Sequence, residues 1–385
     1  MATSRLLPWL VCVTLVASCT KDRDTAAPAK PEGSSRANAP SEPIPRCAPG
    51  VKPLPARIER GVCLAHNYQR GGSRGYGSDT SRASLEELEA LGVQWVSITP
   101  FGFMQRLDEP TVHPIGGYRA GETDDRVIRE IRAAKSLGLN VLLKPHLWIV
   151  DGQWRGQIDF ESEAEWQQWF DAYARWMLHY ADLAESEDVE TLVVGVELRT
   201  TEQRFEDRWR RLIRQIRKRF DGKLTYSANW DDAAQVPWWD ALDFVGVQFY
   251  PPLAKTNDAT RASIDRVLAL RLDELGSLSA RVDRPVLFTE VGFRSADDAL
   301  VQPHAWPERA GRVTIDPKTQ ALGYACFIDS VRDRPWVAGI YWWKWFTDPN
   351  TSEEGPGGFS PRGKLAESYL RAAYGGECDT ASATP

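Results

Sequence analysis

Eight short apolar runs occur along this chain of 385 residues, and most of them are followed by an amphipathic segment. Runs that are apolar at nearly every position are typical of strands buried on both faces of a parallel sheet. Such an alternation restricts the chain to an α/β fold. The predicted strands are 61–65, 93–98, 139–144, 190–197, 223–228, 243–249, 285–290 and 337–343. The predicted helices are 84–91, 124–137, 161–185, 201–220, 261–280, 318–332 and 362–373.

The connecting segments differ in length according to their direction. Links from a helix into the next strand are brief, whereas the links from strand to helix at 99–123, 145–160, 291–317 and 344–361 are long. This asymmetry is typical of a (β/α)₈ TIM barrel, which carries its site on the loops at the C-terminal face. We therefore predict a single-domain α/β barrel over 56–378. A doubly wound open sheet is the alternative, but it usually has fewer strands, and the chain has no Gly-rich dinucleotide or phosphate loop.

Local signals refine the helix boundaries. Three Ser or Thr residues are each followed three positions later by Glu or Gln, which predicts capping boxes that start helices at Ser84, Ser162 and Thr200. The link after the fifth strand, 229–242, is short and leaves room for only a turn of helix.

The N-terminus is typical of a bacterial lipoprotein signal. Arg5 precedes an apolar run, 6–16, that is too short to span a membrane as a helix. The sequence Val-Ala-Ser at 16–18 precedes Cys19 and matches a lipobox, so we expect residues 1–18 to be cleaved and Cys19 to be lipidated. Thr20 follows Cys19, which by resemblance to Gram-negative sorting patterns favours the outer membrane of the cell envelope. A plain signal peptide with a chance Cys is the alternative.

Residues 19–55 are rich in Ala, Pro, Ser and charge, so we expect a flexible tether, and 379–385 a disordered tail. Cys47 and Cys378 flank the predicted barrel, whose first and last units are neighbours. In an oxidising compartment we predict a disulfide between them. Cys63 and Cys326 are interpreted as buried core thiols.

The composition and motifs of the chain disfavour several classes of function. The net charge is −6 without a basic stripe, which argues against nucleic acid as a partner. The five His residues lack a metal-binding spacing, so a metal hydrolase is disfavoured. The Gly-x-Ser-x-Gly match at 71–75 lies in a Gly-rich segment that we interpret as the first strand-to-helix loop rather than a nucleophile elbow, so a serine esterase is also disfavoured. We expect a monomer without cofactor or metal. The 16 Trp residues include several near predicted strand ends, where packing in a core explains them less well.

Two predicted strands end in a glutamate, Glu197 and Glu290. Strand C-terminal ends are where a TIM barrel displays its catalytic side chains, and two facing carboxylates are the machinery of glycoside hydrolysis. Residues two apart on a strand share a face, so further side chains are predicted at the barrel mouth or just below it. These groups are Gly195 and Val193 with Glu197, Phe288 and Val286 with Glu290, Lys144 with His146, Gln248 with Tyr250, Tyr341 with Trp343, and Ser227 with Asn229. Hydroxyl-binding groups beside aromatic rings suit an oligosaccharide.

The chain resembles the clan A glycoside hydrolases, and most of all family 113, which includes β-1,4-mannanases. The similarity covers roughly 57–375, and the segments that carry it are 61–65, 143–148, 195–198, 248–251, 288–292 and 341–343. The resemblance implies a retaining glycosidase in which Glu197 is the general acid/base and Glu290 the nucleophile. It also implies that Tyr250 hydrogen-bonds the nucleophile and that Trp343 forms the floor of the −1 sugar subsite. The substrate contacts we expect are His146, Trp148, Asn229 and Trp230.

One position departs from the clan pattern. Many clan A enzymes place Asn immediately before the acid/base, where it contacts the sugar 2-hydroxyl, but this chain has Val196. The leading hypothesis is a lipid-anchored retaining enzyme that acts on β-1,4-mannan or glucomannan. Another β-linked glycan or exo-action on short mannosides is the nearer alternative, and a catalytically silent glycan-binding lipoprotein is the alternative of a different class.

Overall fold

The computed structural model describes residues 43–66, 73–113, 123–305, 314–350 and 354–378. Predicted features at 1–42, including Cys19 and most of the tether, lie outside these ranges, as does the tail at 379–385. The residues from Ile44 onward belong to one compact unit. Within the described part of the chain, no helix is both long enough and apolar enough to cross a membrane.

Eight parallel strands close into a barrel, which confirms the predicted fold. The first and last barrel strands pair with each other, and a separate two-stranded sheet lies outside the barrel. The barrel strands are β1 (Glu59–Ala65), β2 (Trp95–Ile98), β4 (Asn140–Leu143), β6 (Thr191–Val196), β7 (Lys223–Asn229), β8 (Val245–Phe249), β9 (Val286–Val291) and β10 (Val337–Phe346). All eight predicted strands are confirmed.

The two-stranded sheet was not predicted. It consists of β3 (Phe101–Met104) and β5 (His146–Ile149), which pair in parallel with His146 opposite Phe101. Each strand follows a barrel strand after a short break that contains a proline, Pro100 or Pro145. Proline has no N–H group for the ladder, so the pairing is interrupted there and resumes beyond it. The sheet therefore extends one side of the barrel beyond its C-terminal end.

The helices are α1 (Asp79–Ala90), α2 (Asp124–Ser136), α3 (Glu163–Ser186), α4 (Arg199–Arg204), α5 (Glu206–Ile216), α6 (Arg261–Val282), α7 (Pro317–Arg332) and α8 (Leu365–Tyr374). The helix predicted at 201–220 is interrupted at Phe205, and the 229–242 link contains two 3₁₀ turns. The capping box at Ser162 is confirmed. The one at Ser84 is wrong because the Ser78 side chain already caps α1, and the one at Thr200 is wrong because this residue lies inside α4.

The core has two parts. A large layer of apolar side chains lies between the strands and the surrounding helices, and it takes up many of the Trp residues, including Trp169, Trp209 and Trp238. A smaller cluster fills the barrel interior, and it consists of Cys63, Leu142, Val193, Val196, Leu287 and Tyr341.

The four cysteines among the described residues form one disulfide and leave two free thiols. Cys47 and Cys378 form a disulfide with a Cα–Cα distance of 5.5 Å across a sequence separation of 331 residues. The backbone nearby also joins the two ends, because the Ala48 N–H donates to the carbonyl of Ser368 at 3.0 Å. Cys63 and Cys326 are buried free thiols.

Candidate active site

Glu290 reaches the barrel mouth because β9 carries a β-bulge. Val247 of β8 pairs with Phe288 and Gln248 pairs with Glu290, so Thr289 has no counterpart on β8. An extra residue of this kind breaks the alternation of side chains along a strand. Leu287 packs inside the barrel, whereas the ring of Phe288 packs against Phe327 of α7, with 5.1 Å between ring centroids. The prediction that Phe288 and Val286 share a face with Glu290 is therefore wrong, because both pack in the layer between strands and helices.

A second bulge precedes Glu197 on β6. Val193 pairs with Thr225 and Val196 with Ser227, so β6 contains one residue more than β7 in this interval. Val193 and Val196 both lie in the barrel interior, whereas a Cβ on Gly195 would meet Trp209 in the helical layer at 2.8 Å. The prediction that Gly195 points inward is therefore wrong. Glu197 itself has a φ of 52°, in the left-handed region that residues with a Cβ seldom occupy.

Three donors surround the carboxylate of Glu290. The Lys144 Nζ lies 2.6 Å from Oε1, the Gln248 Nε2 donates to Oε1 at 3.1 Å, and the Tyr250 hydroxyl donates to Oε2 at 3.1 Å. Glu290 is only 5% exposed and Lys144 is fully buried. Burial opposes the charge on Lys144, yet neighbouring Cys63 and Glu290 raise its pKa above the ordinary value. All three groups are hydrogen-bond donors, so each complements a carboxylate oxygen of Glu290.

Glu197 has a different environment. Its Oε2 accepts a hydrogen bond from the Trp154 indole at 3.2 Å and lies 3.4 Å from the Arg155 guanidinium. Burial raises the pKa of Glu197, and the charge of Glu290 acts in the same direction, while Arg155 and the Trp154 hydrogen bond oppose the shift. A carboxyl group with a raised pKa is suited to donate a proton.

His146 connects the two carboxylates. Its Nε2 lies 3.6 Å from Oε1 of Glu290, and its Nδ1 lies 3.4 Å from the guanidinium of Arg155, which in turn contacts Glu197. Burial lowers the pKa of His146 well below its ordinary value, and the positive charges of Arg155 and Lys144 add to the effect. His146 is therefore a neutral imidazole at neutral pH.

Sequence reasoning missed Trp154 and Arg155, which lie at the start of a 3₁₀ turn in the segment between β5 and α3. The turn is held in place from α4, because the Thr200 hydroxyl donates to the carbonyl of Gly156 at 3.0 Å. The Arg199 guanidinium also lies 4.9 Å from the centre of the Trp154 ring. The only available signal was their place in a long strand-to-helix segment, where a Trp and an Arg are unremarkable.

The predicted aromatic residues have different positions. Trp343 lies at the mouth, with the Lys144 Nζ 5.6 Å from its ring centre, and its peptide bond to Lys344 is cis. Trp148 on β5 is 41% exposed and packs edge-on against Phe101. Tyr341 points into the barrel below the mouth and donates a hydrogen bond to Glu59.

Two further predicted contacts, Asn229 and Trp230, lie at the C-terminal end of β7. Asn229 ends this strand and pairs with Gln248, so it neighbours a residue that contacts Glu290. The side chain of Trp230 points toward α6 instead, and its ring lies 5.1 Å from the guanidinium of Arg271 on that helix. The structure thus brings together Glu197, Glu290, His146 and Tyr250, with Trp343 and Asn229 beside them, whereas Trp230 lies toward the helical layer.

The family model described as Glycoside Hydrolase Family 113 matches residues 66–360. No curated protein matches the chain significantly.

Two solved structures of family 113 β-mannanases match most of this chain. A family 113 β-1,4-mannanase structure is 28% identical, with a TM-score of 0.72, and the match covers 83% of this chain and 99% of that chain. The family 113 β-mannanase from Alicyclobacillus acidocaldarius, in complex with ManMIm, is 27% identical with a TM-score of 0.73, over 83% of this chain and 97% of that one. A β-glucuronidase from Faecalibacterium prausnitzii shares only the fold, at 14% identity and a TM-score of 0.56 over 84% of this chain and 49% of that one.

Proposed function

Because the chain belongs to glycoside hydrolase family 113 and is a glycosidase, we propose that it cleaves β-1,4-linked mannan or glucomannan with retention of configuration. The observation that carries the proposal is the unequal environment of the two glutamates. Glu290 is held by an ammonium, an amide and a phenol, whereas Glu197 is partly buried, with 15% of its side chain exposed, and has a raised pKa. The relatives of 27–28% identity that are described as β-mannanases support the choice of substrate.

The proposed reaction is a double displacement. The ionised carboxylate of Glu290 attacks the anomeric carbon while Glu197 gives its proton to the departing glycosidic oxygen, and a glycosyl-enzyme forms. Glu197, now ionised, takes a proton from water, which attacks the anomeric carbon and releases Glu290. Tyr250, Gln248 and Lys144 stabilise Glu290 whenever it carries its charge.

Several residues are proposed to hold the sugar. Trp343 forms the floor of the −1 subsite, and Trp148 offers an exposed ring on β5 to a more distant sugar unit. Val196 packs among apolar residues in the barrel and can bond no hydroxyl. The donors nearest to Glu197 are instead Trp154 and Arg155, which we propose take over polar contacts with the sugar.

Two substitutions test the roles of the glutamates. Glu290→Ala is expected to abolish turnover of every substrate, because no covalent intermediate can form. Glu197→Ala is expected to spare aryl glycosides with good leaving groups far more than mannan, because only poor leaving groups require a proton. An equal loss of kcat/KM on both substrates would contradict the acid role of Glu197. A 2-fluoro glycoside should trap an adduct on Glu290 by peptide mass mapping, and an adduct elsewhere would overturn that assignment.

Substrate class is tested by incubating the purified protein with mannan, glucomannan, cellulose and xylan and measuring new reducing ends. Release of manno-oligosaccharides supports the proposal, and release of mannose alone would indicate exo-action. Hydrolysis of cellulose or xylan only would assign another β-glycan. Binding without hydrolysis would favour the silent glycan-binding alternative.

We also propose that Cys19 carries a lipid and that the enzyme is anchored in the cell envelope, at the outer membrane. The lipobox sequence before Cys19 supports this proposal. Full-length protein expressed in a Gram-negative host should incorporate labelled palmitate and sediment with the outer membrane. A Cys19→Ser variant should do neither, and labelling of that variant would contradict the proposal.

A further inference from the structure

The backbone around Glu197 is fixed by two hydrogen bonds to the neighbouring strand. The Glu197 N–H donates to the carbonyl of Ser227 at 2.9 Å, and the next N–H, that of Leu198, donates to the hydroxyl of Tyr226 at 2.7 Å. Both acceptors lie on β7. Since Glu197 has a left-handed φ of 52°, an unfavourable conformation, something outside the residue must hold it there. The two bonds on either side of the strained residue do so.

Tyr226 is itself held rigidly. Its side chain is fully buried, and its ring packs against Trp209 and Trp238 with centroid distances of 5.4 and 5.0 Å. Its hydroxyl donates a short hydrogen bond to Oε2 of Glu202, a fully buried residue of α4. The carbonyl of Glu202 accepts a hydrogen bond from the Trp238 indole at 3.1 Å, which anchors this part of α4.

The hydroxyl orientation follows from these contacts. Because the Leu198 N–H can only donate, the Tyr226 oxygen must accept from it and direct its own proton to Glu202. Glu202 is faced by Tyr226, Asp232, Arg199 and Glu197. Burial raises the pKa of Glu202 to about 8, and the Tyr226 hydrogen bond opposes this shift. Burial thus favours the neutral form of Glu202, and the pair acts on the backbone after Glu197 through its hydrogen bonds.

We propose that Tyr226 and Glu202 form a positioning pair that fixes the peptide after Glu197 and so directs the carboxyl of the acid/base into the barrel mouth. The inference rests on the proposed function of Glu197. Neither residue touches the substrate. They act through the Leu198 N–H, so they set the orientation of Glu197 without contributing to sugar binding.

Four variants separate positioning from a merely structural role. Tyr226→Phe removes the acceptor for the Leu198 N–H, and Glu202→Ala removes the acceptor for the Tyr226 hydroxyl. Glu202→Gln retains a side-chain carbonyl that can replace that acceptor. Tyr173→Phe is the matched control, because Tyr173 is also buried and its hydroxyl also bonds a backbone group close to Glu197, the carbonyl of Val194 at 3.0 Å.

The assay compares kcat and KM on manno-oligosaccharide and on an aryl mannoside with a good leaving group, across pH. Tyr226→Phe and Glu202→Ala should lower kcat on the oligosaccharide about tenfold or more, because a small misplacement of a catalytic group is costly. KM and the aryl mannoside rate should change much less, and Glu202→Gln should restore activity. The basic limb of the profile should move to lower pH, because a mobile Glu197 gains solvent and its pKa falls. A Tyr226→Phe variant that matches Tyr173→Phe in kcat and pH profile would overturn the proposal.

A measurement that does not depend on turnover provides a second test of the positioning pair. The carboxyl carbon of Glu197 can be titrated by NMR in ¹³C-glutamate-labelled protein and assigned by its loss in Glu197→Gln. A lowered pKa in Tyr226→Phe supports the positioning pair even if the wild type cleaves no mannan, which would refute only the proposed substrate. An unchanged pKa overturns it. Should Tyr226→Phe fail to fold, the comparison of Glu202→Ala with Glu202→Gln gives the same decision.

Discussion

Replacement of Lys144 by methionine should destabilise the protein through the charge that it leaves behind. The Lys144 Nζ lies 2.6 Å from Oε1 of Glu290, and the two side chains are 0% and 6% exposed. At an effective dielectric constant of about 20, two unit charges at this distance attract by about 6 kcal/mol. Burying both ions costs several kcal/mol each, so the intact pair contributes little net stability. Removal of the ammonium leaves a buried carboxylate without its counter-ion. We therefore expect Lys144→Met to lower the free energy of unfolding by about 3–5 kcal/mol.

Urea unfolding at pH 7 measures this cost, and two further variants isolate its cause. The double variant Lys144→Met/Glu290→Gln should recover much of the lost stability, because neither partner then carries a charge. The deficit of the single variant should also shrink as the pH falls, because protonation of Glu290 removes the stranded charge. Arg294→Met is the control, since it breaks a different ion pair, between the buried Arg294 and the partly buried Asp298 at 2.8 Å, and should gain nothing from Glu290→Gln. A double variant as unstable as Lys144→Met would refute the reasoning.

Three other predictions concern stability and binding. Burial raises the pKa of Glu130 to about 7, so the folded state holds a proton that the unfolded state releases above about 4.5. Stability should therefore fall as pH rises from about 4.5 to 7, by up to about 1.4 kcal/mol per pH unit, and Glu130→Gln should flatten that slope in pH-dependent unfolding. Cys47→Ser opens a 331-residue loop and should cost up to about 5 kcal/mol in calorimetry; an unchanged Tm would contradict it. Trp148→Ala should raise KM for long oligosaccharides but not for an aryl mannoside, and equal effects would argue against a distant subsite.

The fold could be predicted because its signals are local. Each barrel strand is a run of apolar residues that is buried on both faces, and each strand-to-helix segment is long because it lies on the functional face. Capping was predicted less well. Ser162 and Ser84 carry the same pattern, but an upstream Ser78 captures the start of α1, and no local rule ranks two possible caps.

The candidate site was predicted in part. Lys144 with His146 and Gln248 with Tyr250 converge on Glu290 because these pairs keep the simple alternation of side chains. Gly195 was misplaced because it lies within the bulge of β6, and Phe288 was misplaced because a bulge separates it from Glu290. A bulge is a mismatch with the neighbouring strand, so one strand read alone does not reveal it.

The sequence by itself determined the barrel, the two strand-end glutamates and the family, because apolar runs, loop lengths and short motifs are properties of the linear sequence. Only the tertiary structure decided how the glutamates differ. Their environments come from Lys144, Tyr250, Trp154 and Arg155, which belong to other elements and meet them only when the barrel closes. Burial and charge act through space, so the raised pKa of Glu197 is a property of that closed mouth rather than of any segment.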